Sequence, residues 1–203
     1  MSDCGCEFEA RNEQERKTLL LVLGINAFMF FFEMALGLMA QSTGLIADSL
    51  DMFADASVYA ISLYAIGKSS DLKIKSARVS GLTQIFLALL VLIDVLRRFL
   101  LGSDPISAIM MGAGVLALIA NTLCLLLIAK HRDGGVHMRA SLIFSKNDVI
   151  ANAGVILSGI LVWILDNRYP DLVIGFVIAI VVLRGGLQIL KEAAESKDDF
   201  DCK

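Results

Sequence analysis

The sequence is short of charge, of proline and of the residues that commonly bind soft metals. Only 19% of its 203 residues are charged, against 57% that are hydrophobic, and it contains two prolines, two histidines and one tryptophan. Its mean hydropathy of +0.72 is too high for an ordinary soluble domain of this length. A net charge of −3 and a pI near 5.4 give no indication of nucleic-acid binding. The composition therefore predicts a membrane protein.

The sequence also lacks a nucleophile–base pair and a phosphate-binding loop, so an enzyme is the least favoured class and no cofactor is expected. Six stretches have the roughly 20 mostly apolar residues that a spanning helix needs. They lie near 18–40, 43–67, 76–99, 105–129, 140–165 and 170–190. We expect an all-α membrane protein with six transmembrane helices in a domain at 18–191. An N-terminal tail at 1–17 and an acidic C-terminal tail at 192–203 would flank that domain.

Lys and Arg are distributed unevenly between the two ends of these helices. Fourteen lie in the tails, at the inner ends of the helices or in the second and fourth loops, whereas three, Arg97, Arg98 and Arg168, lie at the opposite end. Lys146 lies inside the fifth helix. By the positive-inside rule, both termini are expected to face the cytoplasm, in the plasma or inner membrane. Asp94 precedes Arg97 and Arg98 by about one turn, which predicts an ion pair near the outer surface.

Three carboxylates interrupt the second predicted span. Asp48, Asp51 and Asp55 are three and then four residues apart, so at helical spacing they share one face. An ionised side chain at mid-bilayer depth costs at least roughly 2.5–3.5 kcal/mol on insertion scales. The first four spans supply no Lys or Arg near that depth. The stripe therefore predicts a cation site.

The fifth predicted span is the second polar one. It contains Ser145, Asn147, Asp148 and Asn152, and the last two lie four residues apart on one face. The second and fifth spans run in opposite directions, and their midpoints, near Asp55 and Asn152, fall at similar depth. We expect the two polar faces to meet.

Two other polar groups have more than one interpretation. Asn26 and Glu33, seven residues apart in the first span, are expected to form structural hydrogen bonds to the second span, with substrate contact as the alternative. Cys4 and Cys6 are interpreted as part of a flexible tail, with metal capture as the alternative. The two histidines, His131 and His137, are interpreted as residues of a solvated loop that could hold a metal transiently.

The sequence resembles the cation diffusion facilitator family of divalent-metal/proton antiporters. The segments that carry the resemblance are NAFMFFFEMALGLMAQSTGLIADSLDMFADA, RASLIFSKNDVIANAGVIL and YPDLVIGFVIAIVVLRGGLQILKEA. The resemblance implies a central metal site with two ligands from the second helix and two from the fifth. Three of these positions correspond to Asp51, Asp55 and Asp148. The fourth corresponds to Phe144, which cannot bind a metal.

The ligand missing at Phe144 needs a replacement. Asn152 is the preferred candidate because it shares a face with Asp148, while Ser145, Asn147 or water are alternatives. Asp48 lies nearer the outside and would line the exit path. A site made only of oxygen ligands favours Fe²⁺, Mn²⁺ or Co²⁺ over Zn²⁺ or Cd²⁺, although Zn²⁺ is the commonest substrate of the family.

The resemblance implies export of a divalent metal from the cytoplasm in exchange for protons, by alternating access within the lipid bilayer. Members of the family typically continue into a cytoplasmic domain that holds a dimer together, and the chain ends before such a domain. A homodimer would therefore form through the transmembrane helices. The alternative function is a non-transporting metal-binding or partner subunit with the same fold.

Overall fold

The computed structural model describes residues 4–65, 70–130 and 136–201, and these residues form an all-α structure, as the sequence predicts. The described ranges contain six helices. In chain order they are α1 (Cys4–Met39), α2 (Thr43–Ala65), α3 (Ser70–Leu101), α4 (Ser107–Ala129), α5 (Val136–Leu165) and α6 (Tyr169–Asp201). The segments predicted as polar tails largely continue the backbone of α1 and α6 as helix.

Five of these helices have the length and hydropathy of membrane spans. Within the described ranges the spans are Arg16–Met39, Arg78–Leu101, Ser107–Ala129, Ser145–Leu165 and Tyr169–Lys191. In an apolar 18-residue stretch of each span, only 28–33% is buried inside the protein. Their remaining surface is largely apolar, with Phe31, Leu101 and Trp163 each at least 70% exposed. A surface of this kind is suited to lipid rather than water. The chain is an integral membrane protein.

Helix α2 is the one of these six helices that does not have the hydropathy of a membrane span. It carries Asp48, Asp51 and Asp55 within 23 residues, and it contacts all five other helices. Protein rather than lipid therefore surrounds much of its surface, and Leu45, with 0% exposure, and Tyr59, with 1%, are buried in the bundle. The central position of α2 explains how a bundle with a lipid-facing exterior accommodates its most acidic helix.

Three short connections, at 40–42, 102–106 and 166–168, lie at one end of the bundle, which we call the turn end. The preceding helices all stop at a left-handed residue, Gln41 (φ 50°), Gly102 (φ 96°) or Asp166 (φ 47°), a common helix C-terminus. Ile106 N donates to Ala40 O at 2.9 Å, which joins two of the connections. The opposite end, which holds both termini, is called the tail end.

The ion pair predicted near the turn end is confirmed. Asp94 accepts from Arg97 at 2.7 Å and from Arg98 at 2.6 Å. Close helix packing occurs between α3 and α6, where a Cβ on Gly186 of α6 would lie 2.8 Å from the Gly81 carbonyl oxygen of α3, so this glycine permits the close approach of two backbones. A Cβ on Gly112 of α4 would meet no described atom within 4 Å.

Candidate metal site

The polar faces of α2 and α5 meet in the centre of the bundle in antiparallel register. Asn152 Nδ2 donates to Asp48 Oδ1 at 3.3 Å, and the carboxyl groups of Asp55 and Asp148 face each other. Depth counted from the helix midpoints suggests that Asn152 lies level with Asp55. The structure instead places Asn152 level with Asp48, which is about two turns nearer the turn end.

The turn-side level of this cluster contains Glu33 of α1, Asp48 and Asn152. Their exposures are 0%, 1% and 0%, so none of them reaches water. The carboxyl groups of Glu33 and Asp48 are within hydrogen-bonding reach of each other. Two carboxylates in contact repel strongly away from water, so this pair needs a proton or a cation.

The tail-side level contains Asp55 and Tyr59 of α2 with Ser145 and Asp148 of α5. All four side chains are at most 6% exposed. Asp55 faces both Asp148 and the Tyr59 hydroxyl, and Tyr59 faces Ser145. Even so, Asp55 Oδ2, Tyr59 Oη and Ser145 Oγ make no well-formed hydrogen bond to any described group. This level therefore has oxygen atoms available to a ligand.

Asp51 lies between the two levels on α2 and is only half-buried. It is near enough to Asp48, Asp55 and Asp148 for their negative charges to repel. Asn147, which the sequence offers as a further candidate, is exposed. The structure therefore gathers six of the seven predicted site residues, and Asn147 lies apart from them.

The arrangement of these carboxylates is paired rather than clustered around one point. In the described parts of the chain, no three or more His, Cys, Asp or Glu side chains are gathered as a metal-binding group. Glu33 faces Asp48, and Asp55 faces Asp148. A single ion in this arrangement would therefore take further ligands from an amide, a hydroxyl or water, or would draw Asp51 inward.

A different buried carboxylate caps the N-terminus of α2 at the turn end. Asp171 of α6, with 0% exposure, accepts hydrogen bonds from Ser42 Oγ at 2.6 Å, from Thr43 N at 2.6 Å and from Gly44 N at 2.9 Å. Ser42 Oγ in turn accepts from Leu45 N at 3.1 Å. These bonds satisfy amides that the first turn of a helix leaves free, and the charge complements the helix dipole. The sequence pattern does not predict this contact.

The two polar residues predicted to bond from α1 to α2 behave differently. Glu33 does face Asp48 of α2. Asn26 Nδ2 instead donates to Val22 O at 3.0 Å within its own helix, and lies 3.9 Å from Cys124 Sγ of α4. The prediction for Asn26 is therefore wrong, because its face of α1 packs on α4.

Several candidates from the sequence lie outside the residues whose side chains the structure describes. They are Cys4, Cys6, His131, His137 and Phe144. Their proposed parts in metal capture and in the family's ligand set stay predictions.

The sequence profile of the cation efflux transmembrane domain matches residues 19–196. The match covers most of the chain and all six helices that the structure describes. The protein therefore belongs to the cation efflux family, which the sequence resemblance had indicated. This family is one of transporters, not of enzymes.

Named relatives agree with this membership at low identity. The chain is 20% identical over 194 residues to the zinc transporter ZitB of Yersinia pseudotuberculosis, and 21% identical over 194 residues to ZitB of Escherichia coli. It is 22% identical over 198 residues to a cadmium, cobalt and zinc/H⁺-K⁺ antiporter of Bacillus subtilis. These matches cover 89–90% of the chain but only 62–63% of the relatives.

Proposed function

We propose that this protein is a secondary transporter that exports a divalent transition metal from the cytoplasm in exchange for protons. The observation that carries the proposal is the contact between Asp55 and Asp148 on two neighbouring helices, beside buried oxygens that have no hydrogen-bond partner among the described residues. Unpaired carboxylates in a membrane domain are costly unless a ligand compensates them. The zinc and cadmium, cobalt and zinc transporters among its relatives support a metal as that ligand.

The proposed ligands of the transported metal are Asp51, Asp55 and Asp148. Asn152, the further candidate from the sequence, lies level with Asp48, about one helical turn from Asp148. Asp51 is the residue with room to move, since it is only half-buried. Ser145, which lies beside Tyr59 at the tail-side level, or a water molecule is a second source of oxygen. An all-oxygen set suits Mn²⁺, Fe²⁺ and Co²⁺, and Zn²⁺ also accepts carboxylates.

Protons and metal would use the same oxygens, and this competition couples their movement. A carboxylate that binds a proton cannot at the same time offer that oxygen to a metal. Rocking of the helices around the cluster would expose it first to one side of the membrane and then to the other. In this mechanism metal moves toward the acidic side while protons move away from it.

The proposed topology has six spans, which are the five apolar helices and α2, and it places both termini in the cytoplasm. The length of α2, 23 residues, is enough to cross a bilayer, and its contacts with all the other helices favour a full span. The lysine and arginine imbalance favours the tail end as cytoplasmic. The turn end would then face the outside of a plasma or inner membrane, and the exposed apolar helix surfaces offer a place for a homodimer contact.

A second candidate function is a metal-binding or partner subunit that does not transport. The absence of a compact group of three His, Cys, Asp or Glu side chains among the described residues favours a partner subunit that binds no metal. The buried carboxylate contacts between α2 and α5 oppose that form, because a subunit without a ligand would gain stability by losing them.

Flux through the purified protein in liposomes tests the proposal. With an acidic lumen, we expect Zn²⁺ or Mn²⁺ to accumulate inside while a trapped dye reports loss of luminal protons. Calorimetry in two buffers of different ionisation enthalpy should show protons released per metal bound. Asp104→Asn, an exposed residue of a turn, is the matched control for site variants. Metal binding without flux would favour the subunit, and flux without proton release would favour a uniporter.

A further inference from the structure

Glu33 is a buried carboxylate that the central site does not use. Its side chain is 0% exposed, and neither carboxyl oxygen receives a well-formed hydrogen bond from any described group. The group that it faces is the carboxyl of Asp48, whose Oδ2 is also buried without such a bond. When both are ionised, two carboxylates in this arrangement provide oxygen atoms and a charge of −2, which one divalent cation would neutralise.

Asn152 adds a neutral oxygen at the same level. Its amide nitrogen is directed at Asp48 Oδ1, at 3.3 Å, and at the Asp148 carbonyl oxygen, at 2.6 Å. Its Oδ1 has no hydrogen-bond partner among the described groups, in a side chain that is 0% exposed, and a turn of the amide group would bring this oxygen to the side of Asp48 in place of the nitrogen. A buried amide oxygen without a donor is costly unless a ligand completes it. Carboxylate and amide oxygens together are ligands of hard divalent cations.

This level is too far from the Asp55–Asp148 pair for one ion to bind both. Asp48 precedes Asp55 by seven residues on α2, about 10 Å along the helix axis, and Asn152 follows Asp148 by four residues on α5, about 6 Å. Oxygen ligands lie only about 2.0–2.6 Å from a divalent cation. Asp51, half-buried on the same face, lies between the two levels.

We propose that Glu33, Asp48 and Asn152 form a second divalent-cation position, on the turn side of the central site. The proposal rests on the transport function proposed above, and it adds a position through which the metal passes between the central site and the turn end. Asp51 would then bind the ion while it moves from one level to the other.

Counting bound ions tests the second position. Equilibrium dialysis of the purified full chain against Mn²⁺ should give two ions per wild-type chain and one per chain in Glu33→Gln, which keeps the shape of the side chain. Glu13→Gln makes the same change at an exposed residue of the same helix, and it should keep two. Asn152→Leu, a second variant that removes the amide oxygen, should weaken one of the two binding events at least tenfold.

Electron paramagnetic resonance of Mn²⁺ gives an independent readout. Two ions about 6–10 Å apart should broaden each other's spectrum by dipolar coupling, and Glu33→Gln should remove the broadening. One ion or none in the wild type, or two ions retained in Glu33→Gln, would overturn the second position. Zn²⁺ flux in the same preparation separates the two proposals, since one bound ion with intact flux leaves the transport function standing. Two bound ions without flux would support the second position and overturn the transport function.

Discussion

Two kinds of buried carboxylate occur in this protein, and they differ in what surrounds them. Asp171 accepts three hydrogen bonds at 2.6–2.9 Å from the start of α2. Asp55 and Glu33 are similarly buried, but both have oxygens without a well-formed hydrogen bond to any described group, and both face another carboxyl group. The protein itself satisfies the carboxylate of Asp171, whereas the facing carboxyl groups need a proton or a cation to neutralise them.

The two kinds of carboxylate have different roles along α2: one stabilises the start of the helix, and the other is proposed to bind metal or protons. Hydrogen bonds to a charged group contribute roughly 1.5–3 kcal/mol each, so Asp171 fixes the start of α2 against α6. The carboxylate pairs further along α2 are destabilising unless protons or metal neutralise them. Substitution should therefore reduce stability at Asp171 and reduce transport at the pairs.

The largest effect is expected for Asp55→Asn and Asp148→Asn. Each change removes one of the two facing carboxylates, and we expect metal flux to fall to the level of protein-free liposomes. The metal-free protein should unfold at the same temperature or higher, because a buried repulsion is lost. Wild-type flux in either variant would remove that residue from the site.

For Asp171→Ala we expect a loss of stability. Without the carboxylate, Thr43 N and Gly44 N lose their buried acceptor, which should lower the free energy of unfolding by about 1–3 kcal/mol. Asp171→Asn keeps an oxygen acceptor and should cost less. Thermal unfolding in detergent measures the difference, and equal stability of the alanine variant and the wild type would contradict it.

A similar or smaller loss of stability is expected for Gly175→Ala, beside the same contact. The added Cβ would lie 2.7 Å from Thr43 Cγ2 and 3.1 Å from Thr43 Cβ. Overpacking of this kind costs about 1–3 kcal/mol. Gly112→Ala, whose Cβ would meet nothing within 4 Å, is the matched control. If both variants unfold at the same temperature, the close approach of α2 and α6 does not contribute to stability.

The smallest effect is expected at the asparagines of α5. Asn152→Ala should lower metal affinity about tenfold, because a buried amide beside Asp48 is lost. Asn147 is exposed, and we expect Asn147→Ala to keep the wild-type affinity. Titration of both variants with Zn²⁺ or Mn²⁺ compares them. An equal loss in the two would show that burial does not decide which asparagine contributes.

Hydropathy and helical spacing predict the membrane class, the positions of the helices and the stripe of carboxylates on α2. They do not predict the register between α2 and α5. Depth counted from helix midpoints is uncertain by a turn or more, so Asn152 is matched to Asp55 rather than to Asp48. Side-chain contacts such as Asn152 to Asp48 depend on how the helices pack.

The Glu33–Asp48 contact left a weak signal in the sequence, whereas the Asp171 contact left none. Glu33 lies six residues before the end of α1, and Asp48 lies five after the start of α2, so the tight turn between them implies similar depth. Asp171 follows Pro170 in the first turn of α6, where an acidic residue normally complements its own helix dipole. Nothing in that local pattern indicates that it instead accepts from the first amides of α2.

Anomalous X-ray scattering from crystals grown with Zn²⁺ or Mn²⁺ tests most directly whether the unsatisfied carboxylates bind a metal. We expect a peak between α2 and α5, within about 2.0–2.2 Å of oxygens of Asp55 and Asp148, and no metal at Asp171. The Asp55→Asn protein should lose that peak. Metal found only at surface residues, or bound equally in Asp55→Asn, would contradict a metal site between these two helices.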